Sequence, residues 1–186
     1  MPRWEPDTRE RLVVAALHLF SEQGYDETTV AQIAERAGTT KSTFHRHFPD
    51  KRDVLAAGQE TLSRLLAEGI AAAPGSAAPL EAVGEGLRRA AGAFRPEISA
   101  RVAAVVATSA ELQARAALKQ VGMTAAMAEA LERRGVGGPV ARLAAEIGGL
   151  ALKDGFAAWV AGGATGDLGE LVHTELDRLR ATASRL

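Results

Sequence analysis

Apolar residues return at three- and four-residue intervals along almost the whole chain, and no stretch alternates with a period of two, so the pattern predicts an all-α protein. Leu12, Val13, Ala16, Leu17 and Phe20 fall within about 140° on a helical wheel and form the inward stripe of a first helix, capped by Asp7 and stopped at Gly24. Thr29 followed by Gln32 has capping-box spacing. It opens a short helix that turns Val30, Ile33, Ala34 and Ala37 inward and ends at Gly38. Thr40 caps a second short helix reaching Phe48. Pro49 and Asp50 then stop the chain and cap a longer helix expected from Lys51 to Ala73. Past the linker PGSAAP, Pro74 to Pro79, the punctuation marks helices from Leu80 to Phe94, Pro96 to Ala107, Ser109 to Arg134, Pro139 to Gly162 and Asp167 to Ala183.

These elements, about nine helices, divide into an N-terminal three-helix head over residues 1–50, a connecting helix over 51–73 and a helical bundle over 74–186. Three short helices with the turn AGTT between the second and third are the layout of a helix-turn-helix, whose last helix enters a DNA major groove. The wheel of KSTFHRHF tests that layout. With Lys41 at 0° and steps of about 100°, Phe44 and Phe48 flank a buried direction near 320°, and Arg46, near 140°, points away from it. Ser42 and Thr43 share the outward face, and His45 and His47 lie on opposite flanks. Such a helix offers its crest to base edges and its flanks to the two phosphate walls.

Composition narrows the alternatives. Net charge is −1, from 22 basic and 23 acidic residues, so a nucleic-acid partner must be held by a local patch. Between Thr39 and Arg52 the cations Lys41, Arg46, Lys51 and Arg52 face Asp50 alone. With 47% hydrophobic residues the chain has enough apolar surface for a core, and with no cysteine it has neither disulfides nor thiolate metal sites, which fits the cytoplasm. No apolar run follows the arginine of MPRWEPDTRERL, so neither a signal peptide nor a membrane anchor is expected there. The longest apolar region, Val140 to Gly163, is interrupted by Arg142, Glu146, Lys153 and Asp154 and predicts no bilayer span. His45 and His47 stand about 160° apart on the wheel, a poor pair for one metal ion. No metal, cofactor or catalytic set is expected. A solvated amphipathic helix with two core phenylalanines is the plainer reading of the same residues.

The stretch TTVAQIAERAGTTKSTFHRHFPDKRDVL resembles the DNA-binding region of TetR-family transcriptional regulators, over roughly the first 60 residues. The family pattern falls on Thr28 and Thr29, Ile33 and Ala34, Gly38, Thr40, Lys41, Ser42 and Thr43, the aromatic cluster Phe44 to Phe48, and Lys51. The resemblance implies a DNA-binding set of Thr28, Thr29, Thr39, Thr40, Lys41, Ser42, Thr43, His45, Arg46, His47 and Lys51. It also implies a double-stranded DNA operator, a homodimer made by the last two long helices, and a small-molecule inducer bound in the body. His45 departs from the family, which usually carries a phosphate-contacting tyrosine there.

In the body, Ala141, Ala145 and Gly149 recur at four-residue spacing, as do Ala144 and Gly148. They predict a close helix–helix contact, within one chain or between two. Phe94, Met123, Met127, Phe156 and Trp159 are candidates for an adaptable ligand lining and equally for plain core. Arg101, Arg115 and Lys119 could meet an acidic ligand group, and solvated surface positions account for them as well. Two other functional readings stay open: a helical ligand-binding or scaffolding protein without DNA binding, and an enzyme built in the bundle cavity.

Overall fold

A computed structural model describes residues 8–185, and among them every regular element is helical, as the periodicity predicts. In chain order these are α1 (Thr8–Gln23), α2 (Val30–Arg36), α3 (Lys41–His47), a 3₁₀ segment (Lys51–Ala56), α4 (Gln59–Ala72), α5 (Pro79–Ala91), α6 (Pro96–Ala107), α7 (Ala110–Arg133), α8 (Gly138–Ala161) and α9 (Leu168–Ala183). Asp7, the expected cap of α1, lies outside the described residues.

The chain forms two compact units. One runs through Ala57 and takes in Ala100–Ala116; the other is Gly58–Ser99 with the chain from Ala117 onward. In the first, Leu12, Ala16, Leu17 and Phe20 of α1 are buried with Ile33 and Ala34 of α2, Phe44 of α3, and Phe48 and Val54 beyond it. The capping box at the start of α2 is formed: Thr29 N–H donates to Gln32 Oε1 at 2.8 Å, and Gln32 N–H donates to Thr29 Oγ1. Gly38 ends α2 at φ +66°, a left-handed conformation that lets Thr39 N–H reach back to the Ala34 carbonyl at 2.9 Å.

The helix expected from Lys51 to Ala73 is two elements. Asp50 and Asp53 cap one another's backbone and wind a 3₁₀ segment, and Gly58, at φ +91°, breaks the helical path before α4 begins. A left-handed residue cannot continue an α-helix. The apolar positions on both sides keep helical spacing, which is why periodicity alone ran through the break.

In the second unit α5 packs against α4, α8 and α9, and α8 packs along α9. The small residues of α8 make these contacts inside the chain. A Cβ on Gly148 would stand 2.4 Å from Val83 of α5, one on Gly149 would stand 2.6 Å from Thr124 of α7, and one on Gly155 would stand 2.8 Å from the Val172 backbone of α9. Close approach of neighbouring helices therefore compensates the helix-propensity cost of these glycines. Just past α7, the Arg134 guanidinium donates to the carbonyls of Ile70, Ala71, Ala73 and Pro74 at 2.6 to 3.3 Å, satisfying acceptors that the end of α4 leaves free.

Candidate nucleic-acid interface

Helix α3 is fixed from both ends. Thr40 Oγ1 accepts from Thr43 N–H at 3.2 Å and lies 3.1 Å from the Thr43 hydroxyl; at the other end Phe48 N–H donates to Phe44 O at 2.8 Å. Phe44 and Phe48 are 0% and 2% exposed, with ring centroids 5.7 Å apart. The Arg9 guanidinium lies 5.0 Å from the Phe48 ring centroid. The inward side of the wheel is thus the observed anchor. Lys41, Ser42, His45 and Arg46 are exposed, and Thr43 and His47 are half-buried.

His45 has an added constraint. Its Nδ1 lies 3.3 Å from the Pro49 carbonyl, an acceptor only, so Nδ1 carries the hydrogen of that bond. Nε2 is then left to face outward. In the neutral ring it is a lone pair; only the protonated ring makes it a donor.

Two of the expected contact residues face elsewhere. Thr28 is 1% exposed, and its hydroxyl donates to the Gly24 carbonyl at 2.7 Å, closing the turn between α1 and α2. Lys51 Nζ donates to the carbonyls of Tyr25, Asp26 and Thr28 at 2.8, 3.0 and 2.9 Å. An ammonium has three protons, so none is left for a phosphate. Thr29 is exposed at the α2 cap, and Thr39 is half-buried. Counting cations along a sequence cannot distinguish a lysine that meets solvent from one that meets carbonyls.

The proposed ligand lining separates into parts. The rings of Phe94 and Phe156 lie 5.5 Å apart and those of Phe156 and Trp159 6.1 Å apart, while Trp159 Nε1 donates to the Gly166 carbonyl at 3.2 Å. Met123 and Met127 are buried on α7, with Met127 beside Gly148. A cavity of about 150 Å³, not signalled by the apolar pattern, opens between α5 and α9 and is lined by Glu81, Glu85 and Arg88 and by His173, Asp177 and Arg180. Its charges are paired within the chain: Arg88 with Glu85, His173 with Asp177 at 3.7 Å, and Arg180 with Glu81 at 4.0 Å. Arg101 and Arg115 are engaged rather than simply solvated, Arg101 against His18 and Arg115 with Asp53 at 3.0 Å.

A capped, aromatic-anchored third helix following a glycine turn, on an otherwise all-helical chain, defines a helix-turn-helix protein. Residues 12–57 match the family model described as bacterial regulatory proteins, tetR family. The regulator TcmR of Streptomyces glaucescens is 35% identical over 88 residues, covering 47% of this chain and 39% of that protein. AcrR of Shigella flexneri is 40% identical over 50 residues, covering 27% of this chain and 23% of its own length. The chain thus spans well under half the length of the curated relatives it matches. The fold extends further. The fatty acid degradation regulator FadR of Bacillus halodurans superposes with a TM-score of 0.60 at 20% identity, over 95% of this chain and 96% of that one. SmeT, repressor of a Stenotrophomonas maltophilia efflux pump, superposes in its triclosan complex with a TM-score of 0.63 at 21% identity, over 94% and 90%.

Proposed function

We propose that this chain is a DNA-binding transcriptional regulator, acting as a homodimer on a palindromic operator and released from it by a small molecule, hence a repressor. The observation that carries the reading is the polarity of α3, where Phe44 and Phe48 are buried while Lys41, Ser42 and Arg46 stand exposed on the other side. Arg46 reads a base edge, and Lys41, Thr29, Thr39, Thr40 and Thr43 serve the backbone walls with His45 and His47 on the flanks. Thr28 and Lys51 hold the head together instead. Residues 1–50 carry DNA binding, 51–73 connect, and 74–186 supply ligand binding and dimerisation.

For the dimer, the support is a stripe on α8 that the chain itself leaves open. Val140, Leu143 and Leu150 are 52%, 63% and 42% exposed and Ile147 is half-buried between them; on α7, Leu118 and Val121 are 69% and 65% exposed. Apolar residues at alternating spacings of three and four make a helix seam, and a second copy is the occupant that a palindromic operator calls for. The outward residues of α9 include Glu170, His173, Thr174, Asp177 and Arg178, so α8 with α7 is the stronger half of the seam.

For the ligand, the fold likeness to SmeT, solved with triclosan, supports an apolar small molecule, and Phe94, Met123, Met127, Phe156 and Trp159 are the residues we assign to its lining. Among the described residues no helix is long and apolar enough to cross a membrane, and with the absence of cysteine this supports a cytoplasmic protein.

The test is fluorescence-anisotropy binding to a library of genomic fragments, including the chain's own promoter region, at two salt concentrations. Sequence-selective, salt-sensitive binding is expected. Its absence across the library would leave the ligand-binding or scaffolding reading in its place.

A further inference from the structure

We propose that Lys119 anchors an anionic group on the ligand of the helical body, which makes that ligand an amphiphilic carboxylate with an apolar chain. The inference rests on the ligand-binding reading above and deepens it; it does not depend on DNA binding.

The chain has four lysines. Lys41 and Lys153 are exposed, where water solvates the ammonium, and Lys51 and Lys119 are half-buried. Lys51 gives its protons to three carbonyls at 2.8 to 3.0 Å. Lys119, similarly withdrawn, has no hydrogen-bond acceptor and no ion-pair partner among the described residues. Its neighbours three and four residues away on α7 are Arg115, Ala116, Gly122 and Met123, so its own helix brings no carboxylate within reach. Burial pushes the ammonium below the usual lysine range, with nothing opposing it. A cation withdrawn from water in this way is unfavourable until an anion meets it.

Lys119 lies toward the inward face of α7. With steps of about 100°, it stands about 40° from Met123 and about 20° from Ala130, both buried, and about 160° from the exposed Val121. Gly148 of α8 lies beside Met127 of α7, and Gly149 beside Thr124, so the two helices run in opposite directions. Phe156 follows Gly149 by seven residues, about two turns along the same face, and so stands toward the Lys119 end of α7. Its ring is the middle of the aromatic row Phe94, Phe156 and Trp159, with centroids 5.5 and 6.1 Å apart.

This part of the body therefore combines one ammonium with aromatic and thioether surface, a head for an anion and a wall for a hydrocarbon chain. An ammonium is a compact single charge, matched by a singly charged carboxylate rather than by a phosphate dianion.

The experiment is isothermal titration calorimetry of the full chain without DNA, at pH 7.5, with two probes of equal length, decanoate and decan-1-ol. The parent is expected to bind decanoate about tenfold more tightly than the alcohol, the scale of one hydrogen bond to a charged group. Lys119→Met keeps the apolar stem; it should weaken decanoate about tenfold and leave decan-1-ol unchanged, and the retained alcohol binding reports an intact body. Phe156→Ala should weaken both probes. Equal binding of the two probes by the parent, or a Lys119→Met variant that holds decanoate as the parent does, overturns the anion anchor while the apolar site stands. Failure of the parent to bind either probe overturns the anchor and the lining together, and leaves the operator titration as a separate question.

Discussion

The ammonium of Lys51 stands 4.5 Å from the centre of the Tyr25 ring and donates to the Tyr25 carbonyl at 2.8 Å, so one side chain engages both the ring and the backbone of the same residue. With its further bonds to Asp26 and Thr28, Lys51 closes the loop between α1 and α2 against the segment that follows α3. Lys51→Met keeps the stem and removes the donors. It should cost the head about 2 to 3 kcal/mol, since hydrogen bonds to charged groups contribute about 1.5 to 3 each before solvent screening. Denaturant unfolding measures the loss, and the salt slope of DNA binding should be unchanged. A slope flattened by one unit with little loss of stability would return Lys51 to the phosphate contacts.

Tyr25 is the only tyrosine in the chain, and its phenol is pushed up to about 12, chiefly by burial and then by Glu111 and Asp50. The folded state therefore holds this proton more tightly than the unfolded chain, whose tyrosine titrates near 10. The contribution to stability is fully present below about pH 10 and disappears as pH rises toward 12. Phenolate absorbance should stay flat through pH 10 in the native protein and appear together with loss of helicity; a native phenolate at pH 10 would contradict the burial.

Arg46→Ala should narrow the gap between operator and random DNA by about 1 to 3 kcal/mol, the range for a good base contact. Anisotropy with both duplexes measures it. Equal loss on the two would make Arg46 a phosphate contact.

His45→Tyr should strengthen operator binding by about three- to tenfold, the worth of one hydrogen bond. Nδ1–H of His45 is given to the Pro49 carbonyl, whereas a tyrosine hydroxyl on the same flank has a donor free for a phosphate. Anisotropy with the operator duplex measures it, and an unchanged affinity would take residue 45 off the phosphate wall.

Leu143→Glu tests the seam. Leu143 is 63% exposed in the single chain, so the substitution should leave its fold and melting intact while light scattering shows dimer converted to monomer. A variant still dimeric at micromolar concentration would move the interface off α8.

What was legible in the sequence and what was not follow from the range of the interactions involved. Thr29, Gln32 and Thr40 cap helices through atoms three residues away, and they were readable from spacing alone. Phe44, Phe48 and Arg46 obey a wheel, which is local geometry as well. Lys51 depends on carbonyls more than twenty residues upstream, and Thr28 on a turn that buries it; their place among the expected DNA contacts rests on the family resemblance, and for Lys51 on its charge as well, neither of which names a partner within the chain. The small residues of α8 marked a close approach correctly but could not name the neighbour; Val83, Thr124 and Val172 come from three other helices. Gly58 was visible as a residue, and only its left-handed backbone made it a break.

The carbonyls gathered by Arg134 belong to residues 70–74, some sixty positions earlier in the chain. As the protein leaves the ribosome, α4 and its linker must emerge with those acceptors still hydrated and wait for the whole of α7 to be made. The loop joining α1 to α2 waits only for Lys51. The order of synthesis therefore lets the N-terminal end secure its first turns early, while the end of α4 is sealed only when the donor that completes it arrives.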